Sequence, residues 1–360
     1  MRYLFFTNTP AHVHLYKYAV RELQQLGHDV LVLGRDYGCT KDLLEYYDLP
    51  HEIYGSCRTT KYSLFMSLPF HYTNIFRAVH RFKPDLIFGM GGYAAHAGAV
   101  SRTSVVLLLD SEPTWLDYTV ARPFAKAILT PHTFGKELSE NHFQFHGFKE
   151  TAYLHPDVYE PSVDIRSEIG LEPDEKYAIV RFNAFGSHHD VGHHGFTADS
   201  RRELIELLSE YATVFVLDES RERHDGDLDA RPFDFHPALV HDVLAEANLL
   251  VADTQTMVTE AALLGTPAIR SNTFVGENDM GNFVELEREG LISNFKSFDE
   301  VKARAEELLT DDGAKQRWAE RRDDFLADKV NLSEVIVQVA LNYGSVESVD
   351  SLSRHTVPVR

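Results

Sequence analysis

Residues 249–272 read LLVADTQTMVTEAALLGTPAIRSN. Apolar Leu249 to Ala252 predict a strand ending at Asp253, Thr254-Gln255-Thr256 a polar loop of small hydroxyls, and Val258 to Leu264 a helix stopped by Gly265 ahead of Pro267. Ala268 and Ile269 begin the next strand. A strand, tight loop, helix and strand in this order make a parallel βαβ unit, whose loop lies at the carboxyl edge of the sheet, where ligands bind. Amides at a helix start favour a phosphate. Glu260, one turn in, suits the two adjacent hydroxyls of a ribose, and among Ala261, Ala262, Leu263 and Leu264 its carboxylate needs a partner. The plain alternative is an ordinary βαβ unit with a solvated Glu260.

The same alternation runs outward in both directions. Strand-like Tyr3 to Thr7, a helix from Val13 to Leu26 stopped by Gly27, and a strand from Asp29 open the chain; Asp85 to Met90, Val105 to Asp110 and Ala127 to Pro131 supply further buried strands. After the polar, Pro-containing segment from His155 to Asp164 the pattern restarts with Tyr177 to Phe182 and Thr213 to Asp218. Apolar spacing marks helices over Val301 to Leu309, Ala314 to Leu326 and Leu332 to Leu341. The expected fold is α/β: two Rossmann-type doubly wound domains facing a central cleft, residues 1–158 and 159–330. A C-terminal helix at 331–343 is expected to cross back to the first domain, followed by a loose tail at 344–360.

The 360 residues suit two such domains, and a formal charge of −20 argues against nucleic acid as a partner, because phosphate backbones would be repelled. The acidic surplus resembles the surface of salt-adapted proteins. Cys39 and Cys57 lack metal-type spacing and fit a reducing cytoplasm; with no leader or membrane-spanning run, the expectation is a soluble cytoplasmic protein. Residues 61–83 gather aromatics and bases; core packing is the simpler reading, and peripheral membrane contact through this segment the alternative.

Several loops offer chemistry. Thr7-Asn8-Thr9-Pro10-Ala11-His12 follows the first strand, with Pro10 suited to the opening turn of a helix, so His12 is expected at the cleft mouth as a general base. Gly91 and Gly92 permit a turn and close approach by a ligand on the same edge. Asp110 and Glu112 close the next strand as acid or base groups, ranked below His12, or as a turn cap. Arg181 and Ser187 lie on the loop after the first strand of the second domain, where a diphosphate could meet a cation and loop amides. His188, His189, Asp190, His193 and His194 crowd that loop, but their spacing matches no standard zinc pattern, so phosphate contact is the expectation and no metal is called for.

Together TNTPAHVH, RFNAFGSHHD and TMVTEAALLGTPAIR resemble an uncharacterised archaeal and bacterial family near the GT-B superfamily of nucleotide-sugar enzymes. At fold level the resemblance covers most of residues 1–343, to MurG-like N-acetylglucosaminyltransferases and UDP-N-acetylglucosamine 2-epimerases. The resemblance implies that His12 takes the place of a catalytic base, that Gly91-Gly92-Tyr93 forms an acceptor-side loop, and that Glu260 binds the nucleotide ribose with Thr254, Gln255 and Thr256 beside the diphosphate. It also places Asn278, Asp279 and Asn282 at donor-sugar hydroxyls. The implied activity is transfer of a sugar from a nucleotide diphosphate sugar to a glycan or lipid-linked acceptor, without a cofactor or metal. Against the family pattern, the first loop lacks glycine and the second-domain loop is His-rich. A 2-epimerase, with Glu112 in the place of one of its carboxylates, is the alternative, tilted against by the glycine turn where epimerases carry an acid. A non-catalytic nucleotide-sugar binding protein is the third reading.

Overall fold

In a computed structural model, residues 1–56, 61–110, 119–161, 164–183, 195–218, 229–272, 275–276 and 279–355 are described, without the side chains of 61–65. The chain forms two compact units, one of Met1–Val158 with Lys329–Arg360, the other Tyr159–Asp328.

The first unit opens with β1 (Arg2–Thr7), α1 (Pro10–Gln25), β2 (Asp29–Asp36), α2 (Thr40–Tyr46) and β3 (His51–Ser56). It continues with α3 (Lys61–Phe82), β4 (Leu86–Gly89), α4 (Gly92–Ser101), β5 (Ser104–Leu108), β6 (Ala127–Pro131), β7 (His142–Phe145) and the single turn α5 (Thr151–Leu154). Alternation along the strands feeds two apolar layers. Leu4, Phe6, Ile87, Val105 and Leu107 join Ile75 and Val79 of α3 and Ala94 of α4 in one core. On the opposite face Phe5 stacks on Phe88 at 4.9 Å and meets Tyr16 of α1 at 5.1 Å. Helix α1 begins at Pro10 rather than Val13, because proline's fixed φ and missing N–H suit the first helical turn. The aromatics of α3 divide: Tyr72, Phe76 and Phe82 pack on the core, while Met66 and Phe70 are exposed.

The second unit runs α6 (Ile165–Glu168), β8 (Tyr177–Phe182), α7 (Ala198–Ser209), β9 (Thr213–Asp218), β10 (Arg231–Pro232), α8 (Val240–Glu246) and β11 (Leu249–Ala252). Then come α9 (Thr256–Leu263), β12 (Ala268–Arg270), α10 (Gly281–Arg288), β13 (Ile292–Asn294), α11 (Phe298–Thr310) and α12 (Ala314–Leu326). Its strands lie in the order β10-β9-β8-β11-β12-β13, all parallel. Gly265 ends α9 with a φ of 75°, and a Cβ there would lie 2.9 Å from Ala319 Cα of α12, so both backbone conformation and packing require glycine.

The chain then returns to the first unit. Helix α13 (Leu332–Leu341) packs on α1 and α5, capped by Asn331, whose side chain accepts from the Ser333 and Glu334 amides. The loose tail expected over 344–360 is corrected as far as Arg354 and His355. β14 (Leu352–Arg354) pairs antiparallel with β7, Val346 and Val349 are buried, and the His355 ring stacks on His142 at 4.4 Å. Edge pairing and ring stacking tie down a segment that has no amphipathic period of its own. The completed sheet reads β14-β7-β6-β5-β4-β1-β2-β3, parallel apart from β14.

Candidate functional site

Strand order marks where each parallel sheet can take a ligand. In the first unit the order reverses between β1 and β4, in the second between β8 and β11, and a crevice opens outside the carboxyl ends of such strands.

In the first unit the loop after β1 is braced from its neighbours. The Arg35 Nε donates to the Asn8 carbonyl at 3.1 Å, and the Tyr54 hydroxyl donates to Asn8 Oδ1 at 2.9 Å. The Asn8 amide donates to His12 Nδ1 at 3.2 Å. That bond assigns the imidazole tautomer, since a ring nitrogen that accepts cannot carry the proton. Burial, followed by the Lys149 charge, pushes the His12 pKa down to about 3, so the ring is neutral with its proton on Nε2. His12 in this arrangement offers a donor at Nε2, and a base role would first require release of Nδ1 from Asn8.

The carboxylate beside it is Asp110, beyond the end of β5. Lys149 Nζ lies 2.5 Å from Asp110 Oδ2 and 3.4 Å from Glu150 Oε1, with the Asp110 side chain still 25% exposed. Burial alone would raise the Asp110 pKa, but the Lys149 ammonium outweighs it and holds the carboxyl below its usual range, with a smaller contribution from His12. An ionised, partly open carboxylate at a sheet edge can accept a proton. The sequence reading ranks Asp110 below His12, and nothing local in the sequence shows that Lys149, 39 residues on, reaches it.

The glycine turn forms as expected, Gly91 adopting a φ of 114° and Gly92 opening α4. Tyr93 is turned into the unit: its hydroxyl lies 2.9 Å from His71 Nδ1, and its ring packs between Tyr54 and Tyr72 at 5.3 Å from each. The His71 Nε2–H donates to the Ser56 carbonyl, so Nδ1 accepts from the tyrosine. In this arrangement Tyr93 supports the loop through its buried neighbours.

In the second unit Asp253 follows β11 at the switch point. Its Oδ1 accepts from the Asn183 amide at 2.7 Å and its backbone carbonyl accepts from Asn272 Nδ2 at 3.0 Å, tying the ends of three strands together. Burial pushes its carboxyl up to about 6. Arg181, Ala252 and Arg270 share one register row, so both arginine side chains stand on the same face with only a methyl between. Arg181 reaches Met257 Sδ at 2.8 Å on the first turn of α9. That helix begins at Thr256, so Thr254 and Gln255 form the loop, and the buried Thr254 Oγ1 has no partner among the described residues.

Glu260 is buried on α9, its Oε1 3.2 Å from the equally buried His241 Nε2 on α8. The partner its apolar setting demands comes from a helix preceding it in sequence, and His241 was missed because a lone histidine in a helix carries no pairing signal. Asp279 pairs with the fully buried Arg270, which also lies 3.7 Å over the Phe283 ring, because Arg270 inside the sheet edge needs a counter-ion. Asn282 lies in α10 with its Oδ1 buried and unpartnered among the described residues. Glu112, Ser187, Asn278, and the His188, His189, Asp190, His193 and His194 run lie outside the described residues. Among those described, no group of three metal-binding side chains converges, and no helix is long and apolar enough to cross a membrane.

A model for a family described as protein of unknown function (DUF354) matches residues 3–332. The chain belongs to the DUF354 family. No curated protein matches this DUF354 member in sequence. Among solved structures it is similar to a Staphylococcus aureus MnaA–UDP co-structure, at 13% identity and a TM-score of 0.65, covering 95% of this chain and 97% of that one. The UDP-GlcNAc 2-epimerase of Neisseria meningitidis bound to UDP-GlcNAc aligns at 13% identity and a TM-score of 0.62 (95% and 100% coverage). Acinetobacter baumannii MurG aligns at 16% identity and 0.55 (95% and 99%). At these identities the likeness is one of fold: the DUF354 chain has the two-domain GT-B architecture of glycosyltransferases and 2-epimerases.

Proposed function

We propose that this DUF354 protein is a glycosyltransferase that binds a nucleotide diphosphate sugar through its second unit and serves the acceptor from its first. The observation that carries the reading is the β8/β11 switch point, where Arg181, the Thr254 to Thr256 junction and Glu260 on the same helix offer a cation, helix-start amides and a carboxylate. A diphosphate suits the first two, and Glu260 the ribose. On the acceptor side Asp110 takes the proton of the attacking hydroxyl as the bond to the sugar forms and the bond to the nucleoside diphosphate breaks, while His12 Nε2–H donates to the acceptor. Arg181 and the loop amides balance charge on the leaving diphosphate. This scheme calls on no cofactor or divalent metal. The acceptor is a glycan or lipid-linked hydroxyl compound; a peripheral membrane contact would use the exposed Met66 and Phe70 of α3.

Calorimetric titration of wild type and Glu260→Ala with UDP, GDP, dTDP and their sugars, with and without divalent metal in high salt, tests the reading. Tight binding of one nucleotide, lost in the variant, is expected. Binding to none would sink it. Conversion of the bound donor without any acceptor would assign a 2-epimerase instead, a reading favoured by the UDP-GlcNAc 2-epimerase among the structural neighbours; binding without either reaction would assign a binding protein.

A further inference from the structure

Asn8, in the loop between β1 and α1, stands where three elements of the first unit meet. Its carbonyl accepts from Arg35 Nε on β2, its Oδ1 accepts from the Tyr54 hydroxyl on β3, and its own amide donates to His12 Nδ1 on α1, at 3.1, 2.9 and 3.2 Å. A backbone amide keeps one direction only if the soft dihedrals beside it are fixed. Holding Asn8 by its side chain and by its carbonyl fixes them, so the two donors aim the third bond at the imidazole.

Both donors come from one irregularity in the sheet. Strands β2 and β3 pair Gly34 with Ile53 and then Arg35 with Gly55, so the register passes over Tyr54. Such a bulge, uncommon between parallel strands, re-aims the side chain it frees from the ladder. Tyr54 is 1% exposed and its ring is clamped: it meets His71 edge-on at 5.4 Å and Tyr93 at 5.3 Å, while its carbonyl accepts from Asn74 Nδ2 at 2.9 Å. Gly55 lets His71 close on the strand, since a Cβ there would lie 2.1 Å from His71 Cδ2. A ring held in this way gives its hydroxyl a fixed position, whereas packing alone would be served by phenylalanine.

We propose that Tyr54 is a positioning residue for His12: with Arg35 it clamps Asn8, so that the Asn8 amide holds Nδ1 and the imidazole proton stays on Nε2 for the acceptor. The clamp sets the tautomer in the free protein, so the donor is in place before the acceptor arrives. An Nδ1 released from Asn8 could carry the proton itself, and one defined donor would become a ring that exchanges roles. The use of Nε2–H on the acceptor rests on the glycosyl-transfer reading; the route from Tyr54 through Asn8 to His12 rests on the hydrogen bonds alone.

The test is nitrogen NMR of the His12 ring in the free, full-length, histidine-labelled protein, with His12→Gln assigning the resonances, beside hydrogen exchange of the Asn8 amide. In wild type Nδ1 is expected as an unprotonated, hydrogen-bonded nitrogen and the Asn8 amide as protected. In Tyr54→Phe the Nδ1 signal is expected to move towards that of an unbonded nitrogen, and the Asn8 amide to exchange about tenfold faster, as for the loss of one hydrogen bond. Asn8→Ala cuts the same link but spares the aromatic cluster, and serves if Tyr54→Phe folds poorly; it is expected to move the Nδ1 signal as far, and the double variant no further. A His12 ring unmoved in Asn8→Ala, or in a folded Tyr54→Phe, overturns the proposal, because ring packing alone would leave it untouched. Shifts that add in the double variant overturn it as well, since Tyr54 would then act by another route. A ring that moves in a protein transferring no sugar upholds the clamp and removes the glycosyl-transfer reading; transfer with an unmoved ring does the reverse.

Discussion

Replacing Lys149 with Met removes the only ammonium seen against Asp110 among the described residues while keeping the aliphatic stem. At 2.5 Å the pair has a gross Coulomb attraction of about 6–7 kcal/mol at an effective dielectric of about 20. Desolvation of both groups offsets most of that, and Asp110 retains a quarter of its side-chain exposure; what remains of the attraction still holds the carboxyl below its usual range. Glu150, which shares the ammonium at 3.4 Å, adds repulsion once the cation is gone. In wild type the Asp110 pKa is depressed in the folded state, so its stabilisation is present above the unfolded carboxylate pKa and lost as pH falls through the lower folded value. In Lys149→Met burial dominates and the folded pKa lies above the unfolded one. The sign then reverses, and the variant gains stability relative to wild type as pH falls through that raised value. The assay is the titration of Asp110 followed by carbon NMR of aspartate-labelled protein, run beside urea melts from pH 3 to 8, with the acid limb of any sugar-transfer activity expected to move up together with the Asp110 titration. An Asp110 pKa that stays within about 0.3 unit of wild type would refute the claim that Lys149 sets its charge state.

Two further outcomes are expected. Asp279→Asn leaves the fully buried Arg270 without its counter-ion and should destabilise the protein by about 3–5 kcal/mol in urea melts, whereas the apolar pair Arg270→Met with Asp279→Leu should recover most of the loss; a single-variant cost under about 1 kcal/mol would show the pair to be incidental. His142, whose pKa burial and then His355 push down to about 4, stays neutral in the fold while the unfolded chain takes up a proton near 6.5, so the clasp on β14 should weaken as pH falls from about 6.5 towards 4. His355→Ala should let the His142 pKa rise and should open Leu352–Arg354 to hydrogen exchange, and an unchanged His142 titration would show that the stacked ring contributes nothing.

The placement of the candidate residues was partly legible, and the part that was not has a common cause. That His12 and Glu260 lie on the helices following β1 and β11 could be read because local periodicity reveals a strand-to-helix junction. Their working surroundings could not. The Asn8 amide that assigns the His12 tautomer is a matter of loop geometry, and the Lys149–Asp110 and His241–Glu260 pairs join residues from separate elements. The strands missed were short or mixed in character: His51–Ser56, His142–Phe145 and Ile292–Asn294 carry polar residues that break an apolar run, and they are recruited by neighbours already in the sheet.

By itself the sequence determined the alternation of strand and helix, and with it the parallel sheets and the loops at their carboxyl edges. Each βαβ crossover is short-range, has a single favoured hand, and is written in apolar spacing and in glycine and proline stops. Tertiary structure alone decided which charges meet. It set Asp279 against Arg270, turned Tyr93 inward on His71, recruited the tail as an eighth strand, and set Asp110 beside Lys149. Those outcomes depend on burial, because a charge or hydroxyl removed from water must find its partner wherever the packed chain supplies one, however far apart the two lie in sequence.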